Sequence, residues 1–528
     1  MSTEKKLIIK ETFDLAVQNH QNNKLNIAQD LYSQILKIDP NFANAHYNLG
    51  AIFRELGENQ KAKDCYEKTI KIDPNFINAH NNLGVIFKEL GENQKAKDCY
   101  EKVIEINPNY ANAHNNLGVI FKDLGEYQKA KDCFEKVVEI NPNHLAAHNN
   151  LGIIFKDLGK NQKAKDCYEK IIEINPNFAN AHYNLGAIFR ELGENQKAKE
   201  CYEKAIEINP IFINAHNNLG NIFKELGKNQ KAKDCYEKAI EINPNFQEAL
   251  INRGKMLFEK GEFELSLIDF DNCNNFDSRS RGLISLYALG HIDEIYKRIK
   301  ENSQLDEKNI RVAAFSSFIA NKEKKNTSQN FCPNPIDFIH YSNLSSHLKN
   351  FNSFIEEVIK ELHTVNTVWE PYGKTTIGGF QSKSILFKNP QKKMQNLKSI
   401  IITEIESYYL KFKNETCSFI KRWPSKYDLN LWHVILKKQG HQNSHIHPNG
   451  WLSGVIYLKV VPSFKKNEGA IEFTLNGEHY HDAESPTVVY PPKTGDIVVF
   501  PSSLHHRTIP FYADTDRISI AFDITPIN

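Results

Sequence analysis

The residues best suited to chemistry in this chain are four histidines and an arginine near its carboxy end. His445-Ile446-His447 lies in an extended stretch, His505-His506 follows an apolar run, and Arg517 opens the segment RISIAFD. Alternate residues of a strand face the same side, so His445 and His447 can converge on one ion. A third ligand from another strand would complete a facial set and leave positions open for substrate and oxygen. The stretch RTIPFYADTD before Arg517 reads as a turn, and a hairpin there would return Arg517 to the same cavity. A buried guanidinium in that place can hold a carboxylate through paired hydrogen bonds.

Short strands are needed to hold such a set. From about residue 336 aromatic and β-branched residues rise and strand-like alternation replaces a helical period. Helices are expected over 354–362 and 397–412, then strands over 429–437, 451–460, 470–475, 487–489, 496–501 and 517–524. Several short strands divided by turns suggest a β-sandwich or jelly roll with the early helices packed on one sheet. The expected domain is 335–528, with a core of about 429–525. His433, His441, His479 and His481 are at most pocket-lining, Trp432, Asn443 and Tyr457 are candidate walls, and Cys332 and Cys417 are too isolated for a zinc site.

HIHPNGWLSGVIYL, GDIVVFPSSLHHRTIP and RISIAF, taken in that order, resemble the double-stranded β-helix core of iron(II)/2-oxoglutarate-dependent oxygenases. The chain is most similar to a bacterial and phage family of such oxygenases that is often fused to tetratricopeptide repeats. The resemblance implies Fe(II), with His445 as first ligand and His506 as the distal one, the spacing to Arg517 favouring it over His505. It implies Arg517 as the anchor of the 2-oxoglutarate 5-carboxylate, assisted by Ser519, with O2 as co-oxidant and ascorbate as a candidate reductant. His447 stands where the wider superfamily has a carboxylate. Either His447 is the third ligand, or Glu472, Glu468 or Asp482 reaches in and His447 lies behind it.

The other half is a repeat. NFANAHYNLGAIFRELGENQKAKDCYEKTIKIDP fills residues 41–74, and close 34-residue copies run to 244, with a degenerate unit before and a looser one to about 277. Leu49-Gly50, Phe53, Ala62, Tyr66 and Pro74 resemble the tetratricopeptide signature, with His46 where that family often has Trp. An all-α superhelix is therefore expected over 1–277, followed by decayed helical repeats and a polar linker over 278–334. Six cysteines and six histidines recur at fixed repeat positions, where packing is the simplest role. Asn44, Asn78, Asn112, Asn180 and Asn214 form one asparagine row, and Asn48, Asn82, Asn116, Asn150, Asn184 and Asn218 form a second. The rows resemble the asparagine ladder of O-GlcNAc transferase, which implies a groove for a protein or peptide.

Composition narrows the remaining choices. Sixty-six Lys and Arg against 64 Asp and Glu give a net charge of +2, which argues against nucleic-acid binding. No apolar run reaches about 18 residues and the first residues carry no secretory pattern, so neither membrane spanning nor secretion is expected. Unpaired periodic thiols fit a reducing cytoplasm. The expectation is an Fe(II)- and 2-oxoglutarate-dependent hydroxylase whose repeats recruit a protein or peptide. The rivals are an enzyme for a small-molecule or nucleotide-sugar-type substrate whose repeats serve only assembly, a scaffold with a silent oxygenase-like domain, and a three-histidine cupin-like dioxygenase that uses no 2-oxoglutarate.

Overall fold

The computed structural model describes residues 2–371, 374–383, 386, 392–462 and 466–527, and divides the chain into two units, 1–242 and 243–528. The first unit is built of paired helices, from Thr3–Gln21 and Leu25–Ile38 through Ala43–Glu55 and Asn59–Ile72 to Ile213–Glu225 and Asn229–Ile242. From Ala43–Glu55 onward each hairpin turns at a glycine with positive φ, such as Gly57 at 76°, a conformation that side chains with a Cβ disfavour, whereas the first hairpin turns at Asn23 at 57°. A second glycine sits where the paired helices touch. At Gly118 an added Cβ would stand 2.8 Å from the Phe134 ring. Buried Ala113, Ile120, Ala130, Phe134 and Val137 make one copy of the core.

The periodic histidines and cysteines have structural work. Each histidine ring brings Nε2 to the carbonyl of the proline six residues earlier, as His114 does to Pro108 at 2.9 Å and His148 to Pro142 at 2.8 Å. A carbonyl only accepts, so Nε2 carries the proton and ties helix to preceding loop. Burial raises the cysteine thiols, Cys65 and Cys133 to about 11, which makes them inert fillers.

The second unit begins with five helices, Gln247–Glu259, Phe263–Cys273, Phe276–Ala288, Ile292–Glu301 and Ile310–Lys322. Ten strands follow: β1 (His340–Asn343), β2 (Thr367–Trp369), β3 (Thr376–Ser382), β4 (Tyr427–His445), β5 (Leu452–Lys459), β6 (Ile471–Thr474), β7 (Thr487–Tyr490), β8 (Asp496–Pro501), β9 (His505–Thr508) and β10 (Arg517–Pro526). They form one curled antiparallel sheet in the order β1-β8-β5-β10-β4-β9-β6-β7, with β3 also paired to β4 and β2 to β3. Strand β4 is much longer than the expected 429–437. Its first half pairs with β10 and its second with β9, and Gln439 at φ 64° lies between the two halves. The ends of β10 alternate strictly. Ile518, Ile520, Phe522 and Ile524 pack in a core with the helices Phe351–Leu362 and Lys392–Phe412, while Arg517, Ser519, Ala521 and Asp523 face the other way.

The boundary between the two units falls at 242/243, and the helices Phe276–Ala288, Ile292–Glu301 and Ile310–Lys322 run through 278–334. Leu283, Leu286, Val312, Phe315 and Phe318 share a core with Tyr457, Phe473, Tyr480 and Phe500 of the sheet domain. The proline-broken segment is tied down by backbone bonds from Ser418 to Asn330 and from Phe419 to Phe331, both 2.8 Å, with Phe331 fully buried. That pairing brings Cys332 and Cys417, distant in sequence, into thiol contact.

Candidate metal centre and active cavity

Three histidine rings meet where β4 ends and β9 begins. His445 is the last residue of β4 and its backbone partner across the ladder is His506 on β9, while His447 follows two residues on. One nitrogen of each ring lies within 4.8 Å of the other two. The ring centroids of His445 and His506 are 4.3 Å apart, those of His445 and His447 5.2 Å, and those of His447 and His506 5.0 Å.

The second nitrogen of each ring fixes the tautomer. His445 Nδ1 faces the carbonyl of Asn443 at 2.7 Å, and His506 Nδ1 faces that of Leu504 at 3.2 Å. His447 Nδ1 faces Asp523 Oδ1 at 2.5 Å. All three partners are acceptors, so each Nδ1 donates its proton and each Nε2 keeps a lone pair. Burial, reinforced by the neighbouring His447, pushes His445 down to about 3, and burial beside His445 and His447 holds His506 well below the usual histidine range. Both rings are neutral near pH 7, the form that binds a metal. A set of three imidazoles pre-oriented in this way is a fit for Fe(II).

Asp523 was not visible as a site residue in the sequence. It follows His447 by 76 positions and reaches it because β10 lies between β4 and β5, with Asp523 paired to Asn430 and to Ser453. Ser453 Oγ donates to Asp523 Oδ1 at 2.7 Å and lies 3.1 Å from His447 Nδ1. A carboxylate behind a ligating imidazole sets its orientation and raises its basicity. The negative charge that the superfamily's carboxylate ligand would bring is here one residue further out.

The proposed carboxylate alternatives lie elsewhere. Glu472 forms a two-pronged pair with Arg507, at 2.7 and 3.0 Å. Asp482 accepts from Glu484 N, and neither it nor Glu468 belongs to the ligand group. His505 lies outside the three-ring group, lines the same cavity and brings Nε2 within 2.8 Å of the Tyr480 hydroxyl. His433 lies buried on the opposite face of β4 from Trp432, against Ser382, and is not among the residues lining the cavity at the histidines. Among the expected walls, Trp432 and His479 line the cavity at the histidines, whereas Asn443, Tyr457, His441 and His481 do not. That cavity has a volume of about 720 Å³.

Arg517 is brought close in a different way from the one expected. No β9–β10 hairpin forms, because β10 inserts between β4 and β5 and β9 pairs with β4 and β6. Arg517 instead begins the row Arg517, Ser519, Ala521, Asp523, which leads along one face of β10 to the carboxylate on His447. The guanidinium is 2% exposed, lies 4.9 Å from the Tyr457 ring centroid, and has no hydrogen-bond partner at Nε. Burial depresses its basicity. Arg517 does not line the cavity at the histidines. Ser519 is buried beside it, paired across the ladder to Tyr457.

The asparagine rows separate in the first unit. Asn48, Asn82 and Asn218 donate to tyrosine hydroxyls of the array, Asn48 to Tyr32 at 3.1 Å and Asn218 to Tyr183 at 3.2 Å. Asn150 accepts from Lys122 and Asn184 donates to Asn149, while Asn116 stays half-buried. The row Asn44, Asn78, Asn112, Asn180 and Asn214 is the exposed one.

Comparison with known proteins agrees with these two constructions. A family model described as "Putative 2OG-Fe(II) oxygenase" matches residues 430–523, and tetratricopeptide repeat models match 43–76, 77–110, 111–144, 146–178, 179–212, 213–246 and 235–267. No curated protein matches the chain. Among solved structures, MamA is 30% identical over 31% of this chain and 95% of its own, with a TM-score of 0.30. YrrB, titled a TPR protein with an unusual peptide-binding site, is 23% identical over 35% of this chain and 95% of its own, at 0.32. A repeat protein from Cytophaga hutchinsonii is 17% identical over 45% of this chain and 98% of its own, at 0.39. Among the described residues no helix is long and apolar enough to cross a membrane. The chain joins a tetratricopeptide repeat array to a domain that the family model described as "Putative 2OG-Fe(II) oxygenase" matches.

Proposed function

We propose that the protein is an Fe(II)- and 2-oxoglutarate-dependent dioxygenase that hydroxylates a side chain of a protein or peptide recruited by the repeats. The observation that carries this reading is the three-imidazole set with every Nδ1 proton already committed. Fe(II) held by His445, His447 and His506 would supply dioxygen activation, and the overall reaction turns 2-oxoglutarate, O2 and a C–H group into succinate, CO2 and an alcohol.

The chain's own residues do the rest. Asn443 O, Leu504 O and Asp523 hold the Nδ1 atoms of the three imidazoles, so no ring has to turn before a metal binds. Arg517, buried with no carboxylate partner among the described residues, supplies a cation for the far carboxylate of the cosubstrate. Its low-dielectric surroundings strengthen that contact and favour an anion beside it. Trp432, its ring 5.5 Å from that of His447, shields one side of the centre from water. The exposed asparagine row of the array offers a donor and an acceptor at each step to an extended backbone. A cytoplasmic setting, where the periodic thiols stay reduced, belongs to the same reading.

Release of labelled CO2 from carboxyl-labelled 2-oxoglutarate, with Fe(II) and ascorbate present, tests it. Arg517→Ala is expected to abolish that release. Iron binding whose spectrum never responds to 2-oxoglutarate would favour the cupin-like reading, and absence of iron binding the scaffold. Replacing Asn44, Asn78 and Asn112 by Ala is expected to weaken capture of protein substrates, and an unchanged captured set would remove the groove.

A further inference from the structure

The cavity in front of the histidines is not closed by the sheet domain alone. Ser280, Arg281 and Ile284 on the helix Phe276–Ala288, and Arg311 at the start of Ile310–Lys322, make its helical wall. A second cavity of about 200 Å³ shares Arg281, Ile284, Glu478 and His479 with it, and continues past Phe258 and Phe270. The two therefore form one trough, from the metal centre to the repeat-like helices Gln247–Glu259 and Phe263–Cys273. The wall is held rigidly. Phe315 and Phe318 pack on the Tyr480 ring at 5.1 and 4.7 Å, and Phe258 packs on His479 at 5.1 Å.

The charge on this wall is uneven. Asp277 accepts from Arg281 Nε at 2.9 Å and pairs with Arg311 Nε at 3.1 Å. One carboxylate thus faces two guanidinium groups, and both arginines line the trough. Burial depresses the basicity of Arg311, with Asp277 opposing that shift and Arg281 adding to it. Of the acidic groups that line the trough, Asp523 is committed to His447 and Ser453, the Glu478 side chain is 82% exposed to water, and Glu259 lines only the far part together with Lys255.

We propose that Arg281 and Arg311 read a carboxylate on the substrate, so that the trough accepts an acidic peptide segment and presents a neighbouring side chain to the metal centre. The proposal rests on the hydroxylase reading for its last step and on the trough alone for its first. It makes the repeat-like helices part of the active site. Their side chains are specificity determinants, and the trough past Phe258 and Phe270 takes the residues that flank the acidic one. A fixed pair of guanidinium groups suits a carboxylate, whose two oxygens match the fork.

Fluorescence anisotropy on the full chain, without iron or 2-oxoglutarate, tests the first step. The probes are labelled octapeptides of Ala, Ser and Leu that carry a central Glu-Asp, Gln-Asn or Lys-Lys pair. The acidic peptide is expected to bind on the order of tenfold more tightly than the amide one. Arg311→Glu, which leaves the Arg281–Asp277 pair in place, is expected to erase that order and favour the lysine peptide, a gain that misfolding cannot mimic. Arg281→Lys and Arg311→Lys together are expected to retain part of the preference. Equal binding of acidic and amide peptides to the native chain, or an acid preference that survives Arg311→Glu, would overturn the proposal. So would displacement of the peptide by an equal concentration of free glutamate, which assigns the pair to a small carboxylate. Labelled CO2 release runs as a separate arm, so loss of the hydroxylase reading and loss of acid recognition are read independently.

Discussion

Histidine is used in opposite ways in the two units. In the array, each ring commits Nε2 to a proline carbonyl and stands one repeat away from the next, as with His114 on Pro108 and His148 on Pro142. In the sheet domain, His445, His447 and His506 commit Nδ1 instead, and the three remaining nitrogens are gathered around one point. The residue type is the same, so the difference lies in which nitrogen the backbone occupies and whether strands or stacked helices carry the ring. A 34-residue repeat places identical side chains too far apart to share an ion, whereas an antiparallel ladder sets His445 directly opposite His506.

Removing a converging ring is the strongest way to break this contrast. His506→Ala is expected to reduce Fe(II) affinity by more than about 100-fold, measured by anaerobic titration, since it deletes a ligand rather than its support. Arg517→Ala comes next. It is expected to leave iron binding intact and to weaken 2-oxoglutarate binding by about 2–5 kcal/mol, read from the response of the iron spectrum to cosubstrate.

Asp523→Asn sharpens the comparison, because it alters only what stands behind His447. Metal affinity is expected to fall about 10–100-fold, while Asp482→Asn on the neighbouring loop leaves it unchanged. On the array side the effects are on stability alone. Gly118→Ala drives a Cβ towards the Phe134 ring and is expected to cost about 1–3 kcal/mol in denaturant melts of the chain. His114→Ala, which loses one hydrogen bond to a loop carbonyl, is expected to cost about 0.5–1.5 kcal/mol with no change in metal content.

The sequence exposed these features unevenly, for physical reasons. The array is legible because its period is local: each glycine, tyrosine and proline is interpreted within 34 residues. His445 and His447 are legible because strand alternation is local too. His506 needed the family pattern, since its neighbour His505 has the same chemistry and turns instead to Tyr480. Asp523 was invisible, because its contact with His447 depends on the register of β10 between two strands far away in sequence. The same holds for Arg281 and Arg311. On a helix they look like solvated charges, and only packing of Phe315 and Phe318 on the sheet domain turns them towards the cavity. The expected β9–β10 hairpin failed because a short turn suggests neighbouring strands, whereas here β4 lies between β9 and β10 in the same sheet. Within the Asn48 to Asn218 row, the tyrosine partners of Asn48 and Asn218 stand 16 and 35 residues away, on other helices.

The account stands on one ion shared by His445, His447 and His506. Anaerobic titration of Fe(II) into the full chain, followed by addition of 2-oxoglutarate, tests it most directly. The predicted result is one iron per chain, lost in His506→Ala and kept in His114→Ala, with an absorption change on adding 2-oxoglutarate. Iron bound equally well by His506→Ala, or no iron bound by the native chain, would contradict it.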